Sequence, residues 1–269
     1  MATTQAPAAA PVTGALQFYS QPEPLSREAH GGLAVHQLER PFAFAAGGHV
    51  VPLTVAEFGF AAVSYPIIFG GGEHMPLAVM GINAGENMFI NEGTYVVGAY
   101  VPAYTRRYPF VLAADENQSR LVVCIERTAE IFCDKSKAGS QPLFKDDGEP
   151  SEYTANAIKF CEDFETERRR TEAFVKMLKD MDLFHIREAT YQQPNPDGTF
   201  TPVKLAEYFA VSEEKLNALP ADKLVELRDT GALEKIYNHL TSLVGWDRLI
   251  AIATEQAMLR QLKAAAANG

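Results

Sequence analysis

Along the first half of the chain, short apolar runs rich in β-branched and aromatic residues are separated by polar turns that contain glycine or asparagine. This pattern is typical of short antiparallel strands. One helix is predicted between them: Thr54 and Glu57 have the spacing of a capping box, and the helix ends near Ser64, before Pro66. The predicted strands are Leu33–Leu38, Tyr65–Phe69, Leu77–Ile82, Met88–Ile90, Tyr95–Tyr100, Tyr108–Ala113 and Leu121–Ile125.

After residue 150 the apolar positions recur every three to four residues, which is the spacing of one buried helix face. A long helical segment is predicted from Ser151 or Thr154 to near Leu183, and the charged run Thr166–Thr171 predicts a kink or a break within it. The elements predicted after it are a hairpin over Ile186–Gln192 and Phe200–Phe209 with its turn at Asn195–Gly198, short helices beginning at Ser212 and Pro220, a helix over Leu233–Leu243 and a last helix from Trp246.

The order of these elements predicts an α+β fold, with a mostly antiparallel, β-rich N-terminal part and a helical C-terminal part. No βαβ alternation is visible, so a parallel nucleotide-binding sheet is not expected. Residues 1–24 are rich in Ala, Pro and Thr and are predicted to be a flexible tail. A single domain is expected over residues 25–258, β-rich in 25–150 and mainly helical in 151–258. Residues 259–269 are expected to be a fraying helix and tail.

Composition narrows the class of protein. Hydrophobic residues make up 47% and charged residues 22% of the chain, as in ordinary globular proteins. The net charge of −10 argues against binding to nucleic acid, whose phosphate backbone requires clustered Lys and Arg. Three cysteines without a CxxC pair favour a reducing compartment. No basic residue precedes Arg27 and no stretch reaches the ~20 apolar residues of a membrane span. We therefore expect a cytoplasmic protein with neither a signal peptide nor a transmembrane segment.

The densest group of candidate binding residues lies between residues 100 and 110. Arg106 and Arg107 stand among Tyr100, Tyr104 and Tyr108. Aromatic rings can wall a pocket, and a guanidinium can hold a carboxylate or phosphate with two parallel hydrogen bonds. Alternatively, both arginines pair with internal acids and brace the fold. Adjacent residues of a strand point to opposite sides, so at most one arginine is expected to serve such a pocket.

A second candidate site combines His49 with Glu57. Histidine and glutamate are the usual proton-transfer pair, and both can also bind metal ions. A metal site needs three or four ligands, and His74, after a glycine-rich turn, is the single further candidate in this region. The alternative is structural, since Glu57 occupies the third position of the capping box. We therefore assign His49 and Glu57 as candidate catalytic residues, assign no metal site, and leave the cofactor open.

Familiar catalytic motifs do not resolve the question. The run Gly70–Gly72 resembles part of a phosphate-binding loop. The Lys-Ser/Thr pair of such a loop does not follow it, so we expect a turn between strands. No GxSxG motif is present. Cys124 and Cys161 lie in apolar patterns and are expected in the core, and nothing marks Cys133 as activated.

The ordered series of motifs resembles one known family, the SapC family, over about residues 24–250. The most specific stretch is Tyr100–Phe110, which reads YVPAYTRRYPF. The other motifs that carry the resemblance are PLSREAH at 24–30, HVVPLTVAEF at 49–58, YPIIF at 65–69, PLAVMG at 76–81, GENMF at 85–89, LF at 143–144 with DG at 147–148, VSEEKL at 211–216 and HLTSL at 239–243. The family takes its name from a gene linked to a bacterial surface layer. Its members are often encoded beside flavin-dependent halogenase-like proteins and TonB-dependent receptors.

Two functions stay open at this point. The resemblance implies an accessory or interaction protein of a surface-layer or outer-membrane uptake system, whose partner is another protein. The alternative is an enzyme that modifies a small molecule or peptide. It would use a pocket walled by Tyr100, Tyr104 and Tyr108, an acid-binding Arg106 or Arg107, and His49 as acid–base group or metal ligand. That alternative requires His49 and one arginine to face a common cavity.

Overall fold

The computed structural model describes residues 16–114, 121–194 and 199–267. Within these ranges the predicted α+β class is confirmed, because strands dominate the N-terminal part and helices the C-terminal part. The turn predicted at Asn195–Gly198 and residues 1–15 of the predicted tail lie outside the described residues.

The N-terminal part consists of short strands separated by turns and by single turns of helix. Two of these turns are 3₁₀ helices, at Ala43–Ala45 and at Val55–Glu57. The other elements are β1 (Pro22–Pro24), α1 (Arg27–His30), β2 (Leu33–Val35), β3 (Val50–Pro52), α2 (Phe58–Ala61), β4 (Ile67–Gly70), β5 (Met75–Val79), β6 (Ile90–Asn91), β7 (Thr94–Tyr95), α3 (Ala103–Arg106), β8 (Phe110–Ala114), β9 (Leu121–Glu126), β10 (Phe132–Asp134) and β11 (Gln141–Pro142).

The C-terminal part follows the predicted order of helix, hairpin and helices. Serine side chains begin two of its helices. Ser151, one of the two predicted starts, accepts a hydrogen bond from the Thr154 amide, and Ser212, as predicted, accepts one from the Lys215 amide. The elements are α4 (Glu152–Asp180), β12 (Phe184–Pro194), β13 (Phe200–Val211), α5 (Glu213–Asn217), α6 (Ala221–Asp229), α7 (Ala232–Ser242) and α8 (Gly245–Ala267).

The hairpin β12–β13 joins the two parts of the chain in one sheet. The largest sheet has the antiparallel order β12-β13-β4-β5-β3, and Phe209 of β13 pairs with Phe69 of β4. Smaller antiparallel sheets have the orders β1-β9-β8, β10-β2-β11 and β6-β7. The pattern of apolar positions changes near residue 150 because the local structure changes there. Strands from both sides of residue 150 nevertheless belong to one sheet.

Two predicted strands are mostly absent. Of the segment Met88–Ile90, Ile90 alone lies in a strand, β6. Of the segment Tyr95–Tyr100, Tyr95 alone pairs in a strand, β7. Gly98 has a positive φ of 84°, which turns the backbone out of an extended path. The Tyr100 amide then donates to Ser64 Oγ at 3.1 Å instead of to a neighbouring strand. A side chain 36 residues away, invisible to local pattern, satisfies the backbone here.

The predicted kink or break at Thr166–Thr171 does not interrupt the helix, because α4 runs unbroken from Glu152 to Asp180. The charged residues there pair along the solvent face: Arg168 with Glu165 at 2.7 Å, and Arg169 with Glu165 at 3.1 Å. Thr171 faces inward, where its hydroxyl accepts from the Val55 amide at 2.8 Å. The charged run is one face of a continuous helix, and Thr171 attaches that helix to the 3₁₀ turn at Val55–Glu57.

Apolar side chains from both parts form the main core. Phe58, Tyr65 and Phe69 of the N-terminal part pack with residues of α4, α7 and α8, including Leu178 and Leu249. A smaller core surrounds Phe110, Ile125, Leu143 and Cys161. The predicted core positions of Cys124 and Cys161 are confirmed, because both side chains are buried.

The last residues of the segment predicted as a tail make contacts with the rest of the fold. Residues 22–24 form strand β1 and pair with β9. Just before it, the buried carboxylate of Glu126 accepts hydrogen bonds from the amides of Ser20 and Gln21, at 2.7 and 2.9 Å, and from the Thr128 side chain. The local composition that predicted flexibility carries no information about a carboxylate more than a hundred residues away.

Replacing Glu126 with glutamine is expected to lower the free energy of unfolding by about 2 kcal/mol, because a buried group that satisfies several donors is lost. Burial by itself would raise the pKa of Glu126, but hydrogen bonds from Thr128, Gln21 and Ser20 outweigh it and lower that pKa. The native carboxylate thus stabilises the fold above the pKa of the unfolded chain and loses this effect as pH falls. Urea denaturation checks the difference, with Glu130→Gln, an exposed neighbour, as the control. Equal stability of the two variants would contradict the role given to Glu126.

Candidate functional site

Glu57 is a buried carboxylate that holds three segments together. Its Oε2 accepts the amide and the hydroxyl of Thr54, both at 2.8 Å, which forms the predicted capping box. Its Oε1 accepts the Ala103 amide at 2.6 Å and the Tyr100 hydroxyl at 3.0 Å. A buried carboxylate with four donors is well satisfied. Glu57 therefore positions the segment that carries the candidate arginines.

Tyr100 and Arg106 continue this network toward the surface. Arg106 donates from its Nη2 to the Tyr100 hydroxyl at 3.1 Å and from its Nε to the Val101 carbonyl at 3.0 Å. Burial, together with the nearby charge of Glu57, raises the pKa of Tyr100 to about 12. Tyr100 is thus a neutral phenol at physiological pH. It donates a hydrogen bond to Glu57 and accepts one from Arg106.

Arg107 lies in the interior and exposes 9% of its surface. Its guanidinium carbon stands 4.1 Å from the centre of the Tyr104 ring and 4.6 Å from that of Phe164. Both distances are those of cation–π contacts. The Tyr104 hydroxyl donates to the Gln17 carbonyl at 3.2 Å, which anchors the N-terminal segment above the arginine.

The expectation that Arg106 and Arg107 point to opposite sides of a strand is wrong. The two residues end the short helix α3, and successive helical residues diverge by less than successive strand residues. Both guanidinium groups consequently reach α4. Arg106 lies 5.2 Å from the centre of the Phe160 ring, and Arg107 contacts Phe164 one turn later. The spacing of Phe160 and Phe164 was visible in the sequence, but nothing local indicates that they contact arginines.

The remaining predicted residues, Tyr108 and His49, make other contacts. The Tyr108 ring stacks on Phe44 with 3.8 Å between centres, and burial raises the pKa of Tyr108 to about 12. His49 Nδ1 accepts from the Gly85 amide at 3.4 Å. A Cβ at Gly81 would approach the His49 Cβ to 3.2 Å and the Glu86 carbonyl oxygen to 1.9 Å, so a glycine is required for this close packing.

Two grooves contain the arginines, and His49 lines neither of them. A groove of about 630 Å³ includes Arg106, Tyr108, Phe42 and Arg40. A larger groove of about 870 Å³ runs along α4; we call it the α4 groove. Its lining includes Arg107, Tyr104, Phe164, Leu53, Val175 and Leu112, together with charged residues of α4 such as Arg168 and Lys176. His49 therefore shares neither of these grooves with an arginine.

An exposed apolar patch lies on the face beyond Tyr100. It comprises Phe60, Val63 and Val244, which expose 67%, 75% and 71% of their surfaces, and we call it the Phe60 patch. The Phe60 ring stacks on Tyr100 with 5.8 Å between centres. Arg248, one helical turn after Val244, donates to the Val63 carbonyl at 3.4 Å. Large apolar side chains gathered on a surface are typical of interaction sites.

Two further features concern the described residues as a whole. No described helix combines the length and hydropathy needed to cross a bilayer. Among the described histidines, cysteines and acidic residues, no three come together as metal ligands would.

Comparisons with known proteins give one result. Neither a curated protein nor a solved structure matches the chain. The family model described as SapC matches residues 25–249, which is most of the chain and nearly the range over which the motifs showed the resemblance. This protein therefore belongs to the SapC family.

Proposed function

We propose that this protein is an accessory or interaction protein of a surface-layer or outer-membrane uptake system, and that it docks a partner protein on the Phe60 patch. The observation that carries the proposal is the exposure of Phe60, Val63 and Val244, in two segments that the hydrogen bond from Arg248 to the Val63 carbonyl joins. Exposing such side chains to water is unfavourable, and a partner that covers them would recover that free energy.

Charge around the Phe60 patch favours one kind of partner. The guanidinium groups of Arg106 and Arg248 flank the patch, and neither lies within 4 Å of a carboxylate of the described residues. The chain as a whole carries a net charge of −10, which opposes close approach of a second copy. We therefore propose an apolar segment with acidic flanks, supplied by a different protein, as the occupant.

The enzyme alternative has weaker support. It requires His49 and Arg106 or Arg107 at one cavity, and His49 lines neither of the grooves that contain these arginines. Glu57 is the other catalytic residue of this alternative. Its carboxylate is surrounded by four groups that donate hydrogen bonds to it. A proton-transfer role would have to break this network before Glu57 could reach a substrate.

A negative charge introduced into the Phe60 patch tests the docking proposal. The purified chain is titrated by calorimetry with the two neighbouring gene products that the family context suggests, the halogenase-like protein and the TonB-dependent receptor. Phe60→Asp is expected to weaken the binding of one of them about thirtyfold or more, because an anchor residue at an interface contributes about 2 kcal/mol or more.

Ile186→Asp is the matched control. Ile186 exposes 61% of its surface on strand β12, outside the patch, so the variant adds the same charge at a comparable apolar position. Binding that is equally weakened by both variants would show a general effect of charge. A chain that binds neither product would contradict the docking proposal itself.

A further inference from the structure

The α4 groove contains a buried cation without an acidic partner among the described residues. Arg107 exposes 9% of its surface, and no carboxylate of the described residues lies within 4 Å of it. Its buried Nε–H also finds no hydrogen-bond acceptor within the described part of the chain. A charge transferred from water into a protein is costly unless it is paired.

Aromatic rings compensate for part of this cost. Tyr104 and Phe164 place their faces against the guanidinium at 4.1 and 4.6 Å. A cation–π contact leaves the N–H groups at the edge of the guanidinium free to bond elsewhere. The unused Nε–H shows that the described residues do not exhaust the hydrogen-bonding capacity of Arg107.

The walls of the α4 groove are apolar around this cation. Leu53, Val175, Leu112 and the two aromatic rings line it, and its volume of about 870 Å³ is within the range of small-molecule sites. Such a lining favours a ligand with a hydrocarbon body. Arg107 supplies the charge that would orient that body.

The other cations along the groove are already paired. Arg168 bonds Glu165 at 2.8 Å. Lys176 bonds Asp180 at 2.6 Å, and Lys179 pairs with Glu73 at 3.6 Å and donates to the Gly72 carbonyl. A phosphate dianion would require two or more free cations, whereas Arg107 alone matches a single negative charge.

We propose that the α4 groove binds an organic monocarboxylate, with its carboxylate at the Arg107 guanidinium and its hydrocarbon body along Leu53, Leu112 and Val175. This binding site is separate from the Phe60 patch and does not depend on the partner protein proposed above. The ligand is defined by its chemistry: one carboxylate and an apolar body small enough for the groove.

The test compares acids with their uncharged amides on the intact chain. Butyrate, octanoate, dodecanoate and hydrocinnamate are each titrated by calorimetry beside the corresponding primary amide and beside inorganic phosphate. At least one of the longer acids is expected to bind about tenfold or more tightly than its amide, as charge-assisted hydrogen bonds predict. Arg107→Met is expected to remove this preference, and Arg106→Met, which changes the neighbouring guanidinium outside the groove, is expected to keep it.

A second variant protects the test if Arg107→Met does not fold. Leu112→Trp fills the groove from strand β8 without changing the cation, and it is expected to weaken binding of the longest acid most. Equal affinity for acid and amide would overturn the proposal. So would phosphate binding without carboxylate binding, unchanged affinity in folded Arg107→Met, or no binding of any acid in the series.

Discussion

Replacing Glu57 with glutamine is expected to lower the free energy of unfolding by about 3 kcal/mol. The carboxylate accepts from Thr54, Tyr100 and Ala103 through four hydrogen bonds. A glutamine amide would turn two N–H groups toward some of these donors, leaving buried donors unpaired at about 1–3 kcal/mol each. Chemical denaturation of both proteins measures the difference.

Two further variants define what the loss means. Glu73→Gln removes the same charge at an exposed position of the β4–β5 turn, and no change in stability beyond about 0.5 kcal/mol is expected. Tyr100→Phe removes one of the four hydrogen bonds and is expected to cost about 1 kcal/mol. If Glu57→Gln is as stable as wild type, the structural role is refuted and the proton-transfer role of Glu57 regains its support.

Lowering the pH from about 7 to about 5 is expected to reduce the free energy of unfolding by about 2 kcal/mol through His239 alone. The ring is fully buried: Nδ1 donates to the Ile67 carbonyl at 2.8 Å, and Nε2 accepts from the Val211 amide at 3.1 Å. Burial lowers the pKa of His239 to about 4, against 6.5 in an unfolded chain.

The sign of this effect follows from proton binding. Between the two pKa values the unfolded chain binds a proton that the folded chain refuses, so stability falls as the pH falls through that window. The charges of Arg187 and His185 lower the pKa of His239 as well, while the bond to Ile67 raises it. Protonation would also place an N–H against the Val211 amide, which already donates to that nitrogen.

Urea denaturation at several pH values between about 4 and 7 measures the slope that linkage predicts. His239→Gln retains one donor and one acceptor and cannot be protonated, so we expect it to flatten the slope. Asn238→Gln, which changes a non-titrating neighbour of His239 on the same helix, is expected to leave the slope unchanged. An unaltered slope in His239→Gln would show that another group carries the pH dependence.

Both predictions concern residues that connect distant segments, and this explains why the sequence identified them incompletely. The capping box of Thr54 and Glu57 is local, and its spacing predicted it correctly. The other two partners of Glu57, at Tyr100 and Ala103, are more than forty residues away. His239 joins β4, β13 and α7, and no local signal marks a histidine that will be buried between three elements.

The candidate binding residues show the same division. The sequence grouped Arg106 and Arg107 with Tyr100, Tyr104 and Tyr108 without pairing them, and within that group Arg107 contacts Tyr104. It could not predict that Phe164 of α4 completes the contact, or that Arg106 and Arg107 line different grooves. Those arrangements depend on how α3 packs against α4, which is a tertiary property.

The sequence by itself determined the fold class, the order of most elements, the helix beginning at Ser212, and membership of the SapC family. These features depend on local periodicity, capping and ordered motifs, which are written in neighbouring residues. The tertiary structure alone decided that β12–β13 joins the N-terminal sheet, that His49 shares neither groove with the arginines, and that Arg107 is buried between two rings. Each of these is a contact between segments far apart in the chain, where local pattern carries no information and packing of the whole core selects the arrangement.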